Sequence, residues 1–147
     1  MRSVREPDDL DAVLDLLHGR WFASDDVLYD PEEGALSISL ARRAEEEAPL
    51  VVRNLGWIYR RWRVPLRETV LRIHRVRDHQ IAEGDWRLEA VGYHGDTVTV
   101  YALERPVIRA RVDGLALEVQ ETPNLVGERI ESCTLGFLRR YGIRRDR

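Results

Sequence analysis

Two hydrophobic periods run through this chain: a short helical one near the start and a β alternation over most of the rest. Leu10, Val13, Leu14 and Leu17 recur at i, i+3, i+4 and i+7, one apolar stripe of a helix, while Asp11, Asp15 and His18 fall on the opposite, wet face. Pro7 suits a first turn, Asp8, Asp9 and Asp11 favour a helix N-terminus, and Gly19 can end the segment. The pattern therefore predicts a helix over 7–20. Residues 26–30 and 35–42 read as strands, the second with Leu36, Ile38 and Leu40 alternating with Ser37 and Ser39. Pro31-Glu32-Glu33-Gly34 joins them as a four-residue hairpin loop. Residues 44–48 are a polar connection or one helical turn. Residues 50–63 are apolar and aromatic, interrupted at Gly56, and Pro65 marks a boundary or an edge position. Residues 68–77 read as a strand with Leu71 and Ile73 inward and Arg72 and His74 outward.

The second half alternates more cleanly. Residues 86–91 and 97–102 pair across a turn at 93–96, and residues 107–112 and 115–120 flank Asp113-Gly114, a strong hairpin signal. Residues 125–141 admit two readings. Val126, Ile130, Cys133, Phe137 and Tyr141 fit a helical stripe, whereas 129–137 also reads as a strand; Pro123-Asn124 and the length of the span favour the helix. The last four residues, 144–147, are expected to fray. The segments 25–77 and 86–121 share a strand ending in Val-x-Tyr, a glycine turn and an alternating strand, which suggests an internal duplication. Roughly eight antiparallel strands need a closed barrel or a two-layer sandwich to hide their edges. The expected fold is β-rich α+β, one domain over 1–147, with a helix at 7–20, β structure over 25–121, and a helix or strand at 125–141.

Composition narrows the setting. The chain has 147 residues, 44% hydrophobic and 33% charged, with a net charge of −3, within the range of a soluble globular domain. All 23 basic residues are arginine. The absence of lysine excludes Schiff-base chemistry, a lysine general base and a phosphate-loop lysine. Coding drift in a GC-rich genome is the simplest cause, and a bacterial cytoplasmic protein is the expectation. A single cysteine, Cys133, fits a reducing compartment. No apolar run of signal-peptide or membrane-helix length occurs, so neither a leader nor a membrane association is expected.

Candidate chemistry is sparse. His18, His74, His79 and His94 are well separated; a zinc site from His74, Asp78 and His79 lacks a cysteine pair, and solvated histidines are the simpler reading. No Gly-x-Ser-x-Gly elbow surrounds any serine, no glycine-rich phosphate loop occurs, and the acidic pairs near residues 25–33 lack calcium-loop spacing. No catalytic residue, cofactor or metal is assigned, and the reading leans away from an enzyme.

Charge and aromatic content supply the one candidate surface. Residues 1–49 carry a net −8 and residues 53–77 a net +7. Within the basic stretch Arg53, Arg60, Arg61, Arg63 and Arg67 interleave with Trp57, Tyr59 and Trp62. Arginine and aromatic side chains together suit single-stranded nucleic acid, where bases stack and guanidinium meets phosphate, and equally suit strand alternation with arginine as structural glue. The structural reading ranks first. The leading function is a non-catalytic protein-interaction module with a protein partner, a homodimer being compatible with the same surface. A single-stranded nucleic-acid binder through Arg53–Arg77 ranks second. A small-ligand barrel or enzyme, with Trp57, Trp86, Tyr93 and Tyr101 lining a cavity, ranks third.

Overall fold

The helical stripe near the N-terminus folds as its spacing predicts. The structure, a computed structural model, describes residues 1–146. A 3-10 turn at Pro7–Asp9 leads into α1 (Leu10–Leu17), which buries Val13 and Leu17 and leaves Asp11 and Asp15 in solvent. The His18 amide closes the last turn on the Leu14 carbonyl at 2.7 Å, and Gly19, at φ 77°, takes the left-handed step that ends it.

The rest is β structure. In chain order the strands are β1 (Arg2–Val4), β2 (Trp21–Ala23), β3 (Val27–Asp30), β4 (Ala35–Arg43), β5 (Leu50–Asn54), β6 (Tyr59–Ile73), β7 (Val76–Ile81), β8 (Asp85–Arg87), β9 (Ala90–His94), β10 (Thr97–Ala102), β11 (Arg105–Val112), β12 (Leu117–Thr134) and β13 (Leu138–Arg145). One sheet runs β1-β12-β6-β4-β2-β8, with β3 on β4, β5 on β6 and β13 on β12; the other runs β7-β11-β10-β9. Every strand pair whose register is described is antiparallel. The fold is thus α+β and β-rich, with two open sheets and no closed barrel among the described residues.

The chain divides into two compact units: Met1–Leu40 with Thr69–Thr122, and Ala41–Glu68 with Pro123–Arg147. The first holds the hydrophobic core. In β4, Leu36, Ile38 and Leu40 are fully buried while Ser37 and Ser39 alternate with them half-buried. In the four-stranded sheet, Val98, Val100 and Ala102 of β10 and Ile108, Ala110 and Val112 of β11 supply the same inward set. Each large aliphatic side chain so buried contributes about 1.5–3 kcal/mol. The β3–β4 hairpin closes across the expected four-residue loop, where the Asp30 carboxylate accepts the Glu32 amide at 3.0 Å. The β9–β10 hairpin turns at Gly95-Asp96.

The second unit is two hairpins set edge to edge. β5 pairs β6 from Leu50↔Arg63 to Asn54↔Arg60, β12 pairs β13 from Gly127↔Arg145 to Thr134↔Leu138, and β6 neighbours β12. In this unit β5 and β13 are therefore outer strands. Burial changes phase along β6: Val64 and Leu66 are buried at even positions, then Thr69, Leu71 and Ile73 at odd ones, so the inward face switches at Arg67-Glu68.

Two expectations are corrected. Residues 125–141 are not helical. Positive φ at Leu135 (55°) and Gly136 (76°) reverses the chain inside the supposed helix, and Cys133 faces Arg139 and Glu131 faces Tyr141 across a β ladder. The i, i+4 stripe was a coincidence of hairpin spacing. Asp113-Gly114 is not a hairpin turn either. It carries the chain from one sheet to the other, because β7 already occupies the edge of β11, with Arg111 opposite Asp78.

Candidate binding surface

Strand alternation sorts the second unit's side chains onto two faces. Register places Arg60 and Trp62 of β6 on the same face as Asn54 and Val51 of β5. The Trp62 indole Nε1 donates to the Glu131 carboxylate at 2.6 Å, which puts Arg129, Glu131 and Cys133 of β12 on that face too, with Arg139 and Tyr141 of β13 opposite them. Arg53, Arg61, Arg63, Glu128 and Arg140 take the other face.

The first face carries an open groove of about 520 Å³, lined by Val51, Trp57, Arg60, Trp62, Cys133 and Arg139 among others. On the same face Glu131 is already paired. Glu131 meets Arg129 Nε at 3.1 Å and Arg43 Nε at 4.0 Å besides Trp62, and the Arg129 guanidinium lies 4.0 Å over the Tyr141 ring. On the opposite face Glu128 is shared by Arg63 at 3.9 Å and Arg144 at 3.8 Å. Arg67 is held by Glu46, by Glu47 at 2.8 Å and by the Pro123 carbonyl at 2.7 Å. Hydrogen bonding from its own backbone amide, then from Arg67, with the Arg42 charge alongside, holds Glu46 below the usual carboxylate range.

Five arginines of the second unit have no such partner. Arg53, Arg60, Arg61, Arg139 and Arg140 are exposed and pair with no carboxylate among the described residues; Arg60 donates its Nε to the Gly56 carbonyl at 3.1 Å. All five sit within a few residues of two loops. The β5–β6 loop reads Leu55-Gly56-Trp57-Ile58 and the β12–β13 loop reads Leu135-Gly136-Phe137, followed by Leu138. The loops adjoin, since the Leu135 amide donates to the Ile58 carbonyl at 2.9 Å. Their apolar side chains are bare: Trp57 is 70% exposed and Phe137 72%.

The structure thus separates the eight sequence-selected residues. Arg63 and Arg67 are tied into ion pairs, Trp62 is hydrogen-bonded, Tyr59 is half-buried, and Arg53, Trp57, Arg60 and Arg61 stay open. The rest of the basic stretch belongs to the first unit, where Arg72 pairs with Glu33 and Arg77 bridges Asp96 at 3.2 Å and Asp113 at 3.0 Å. The helical reading of 125–141 concealed Leu135, Phe137, Arg139 and Arg140. The repeated Leu-Gly-aromatic triplet at 55–57 and 135–137 was the signal that could have joined them. Counted by unit, the charge is sharper than along the chain: a net −9 in the first unit against +6 in the second.

The residues expected to line a cavity, Trp57, Trp86, Tyr93 and Tyr101, are placed as follows. Trp86 lies in the first unit's core with Arg105 stacked 4.8 Å over it, Tyr93 packs against that core, and Trp57 lies in the second unit. The histidines stay apart. His74 meets Glu118 at 3.1 Å, His79 stacks on Tyr29 at 4.6 Å, and no cluster of three or more metal-ligating side chains occurs among the described residues. No helix among the described residues is long and apolar enough to cross a membrane. Comparisons with family models, with curated proteins and with solved structures find no match.

Proposed function

We propose that this chain is a non-catalytic protein-interaction module whose docking element is the second unit. The observation that supports it is an imbalance of apolar surface. Of the fifteen exposed large hydrophobic side chains, eleven lie in that unit, against only four buried ones: Ala41, Ala44, Val64 and Leu66. Exposure on that scale, rimmed by charge, is characteristic of surfaces that are covered by a partner. Away from the loops, Leu50, Val51, Val52, Leu125 and Tyr141 flank two outer strands whose open edges can accept an added strand. The net +6 selects an acidic partner surface. Affinity capture from the source-cell extract, run with the native chain and with Val51→Glu/Tyr141→Glu, tests the reading. The native chain should retain a stoichiometric acidic protein that the double variant loses. A chain that retains nothing, or retains the same protein in both forms, overturns it.

One observation favours a second reading, single-stranded nucleic acid: Arg53, Arg60 and Arg61 have no carboxylate partner among the described residues. A salt-dependent shift with an oligonucleotide should then weaken on Arg60→Ala and Arg61→Ala and respond little to Arg63→Ala, because Arg63 is engaged by Glu128. Absence of binding at low salt removes this reading.

A further inference from the structure

The twin loops combine two features that a one-faced protein contact does not use together. Six apolar side chains, Leu55, Trp57, Ile58, Leu135, Phe137 and Leu138, are 45–72% exposed on two loops joined by a backbone hydrogen bond. Directly behind them the five uncompensated arginines lie on both faces of the sheet, Arg60 and Arg139 on one and Arg53, Arg61 and Arg140 on the other. A partner lying on either face would meet only part of this charge. A polynucleotide tracking one face would meet two open guanidiniums and then Glu131, and on the other face three and then Glu128. An anionic plane entered end-on meets all five at once, with the apolar side chains ahead of them.

We propose that the loops at 55–58 and 135–138 dock this chain onto an anionic lipid surface, with the apolar side chains entering the acyl boundary and the arginine collar meeting headgroup phosphates. Tryptophan and phenylalanine favour that depth, and each basic side chain near an anionic leaflet adds to the attraction. The contact is peripheral and spans nothing. It goes beyond the protein-docking reading, which uses the outer strands β5 and β13.

Vesicle flotation with the full chain tests it, comparing phosphatidylcholine alone with phosphatidylcholine containing about 30% phosphatidylglycerol, a typical anionic surface. The native chain should float with the anionic vesicles only, release as salt rises, and show a blue-shifted tryptophan emission. Trp57→Ser and Phe137→Ser should each lower partitioning roughly tenfold. Arg60→Gln/Arg61→Gln/Arg139→Gln should abolish the preference for anionic lipid. These side chains are exposed, so folding survives the changes, and unchanged circular dichroism verifies it. Val51→Glu/Tyr141→Glu, which breaks protein capture in the reading above, should still float with anionic vesicles, weakened only by the two carboxylates it adds. Flotation that fails, ignores lipid charge, or survives both loop substitutions overturns the proposal. So does displacement of bound vesicles by an oligonucleotide together with indifference to Trp57→Ser. Protein capture that persists without flotation leaves the module reading standing and sinks only this one.

Discussion

Leu103 and Glu104 hold the two central positions of the β10–β11 hairpin with φ of 52° and 59°, a conformation that side chains with a Cβ resist and that hairpins normally assign to Asn-Gly. What holds them is distant in sequence. The Glu89 carboxylate accepts the Leu103 amide at 3.0 Å and the Glu104 amide at 3.1 Å. Glu89→Ala should therefore cost about 1–3 kcal/mol, the penalty for two amides losing a charged acceptor. Leu103→Asn/Glu104→Gly should raise stability by about 1–2 kcal/mol by relieving the strain. In that relaxed background Glu89→Ala should cost less than in the native chain, and thermal melts of the four proteins give the coupling directly; additive effects would sink the argument. No turn signal marks 103–104 in the sequence, because the residue that supports the turn, Glu89, lies in the link between β8 and β9. Asp96 makes a second residue-scale prediction. Hydrogen bonds from Arg111 and then Thr97 hold its carboxyl below the usual range. A depressed carboxyl contributes stability that is present above the unfolded-state value and lost as pH falls through the folded one. Acid titration should show Asp96 still ionised below the range of free aspartate, and Asp96→Asn should flatten the stability slope below about pH 4, where free aspartate titrates. An Asp96 carboxyl that titrates in the range of free aspartate contradicts this.

Among the elements, the β12–β13 hairpin depends on one glycine. Gly127 has φ 149°, and a Cβ there would lie 2.1 Å from the Arg144 carbonyl oxygen and 2.7 Å from the Arg145 Cα. Backbone cannot yield as a flexible side chain can. Gly127→Ala should cost about 1–3 kcal/mol in strain alone and open the ladder at Glu128↔Arg144 and Arg129↔Ile143. Gly142→Ala, where a Cβ meets nothing within 4 Å, should be tolerated. Hydrogen exchange across 138–145 separates the two: fast exchange in the first variant with unchanged amides in β10 and β11, native exchange in the second. Equal behaviour would mean that β13 is held by something other than this pairing. The elements also differ in how legible they were. α1, the β3–β4 hairpin and the β9–β10 turn follow from period and local turn chemistry, because all the deciding residues are neighbours. Residues 125–141 misled because a hairpin reversing at 135–137 places Cys133, Phe137 and Tyr141 at helical spacing by accident. Asp113-Gly114 misled because a turn dipeptide does not specify which strand will fill the edge beside it.

At the scale of the whole molecule, buried core and exposed apolar surface are divided between the two units. The first holds 26 of the 30 buried hydrophobic side chains and the second four, none of them after Glu68. The sequence showed an arginine-aromatic segment but assigned the charge to a contiguous stretch. The fold moves Arg72, Arg75 and Arg77 to the acidic unit and brings Arg139 and Arg140 beside Arg53–Arg61, a regrouping set by long-range strand pairing that no local window contains. Few buried contacts and many solvent-facing backbone bonds mean low local stability. Amides of 50–64 and 124–145 should therefore exchange by local opening, several kcal/mol below the global unfolding free energy that protects β4, β10 and β11. Adding anionic vesicles should slow exchange at 55–58 and 135–138 and leave Leu36–Leu40 unchanged, since a ligand stabilises only the opening it blocks. Uniform protection across both units would show that the second needs no cover, and would remove the reason for reading its bare apolar side chains as a docking surface.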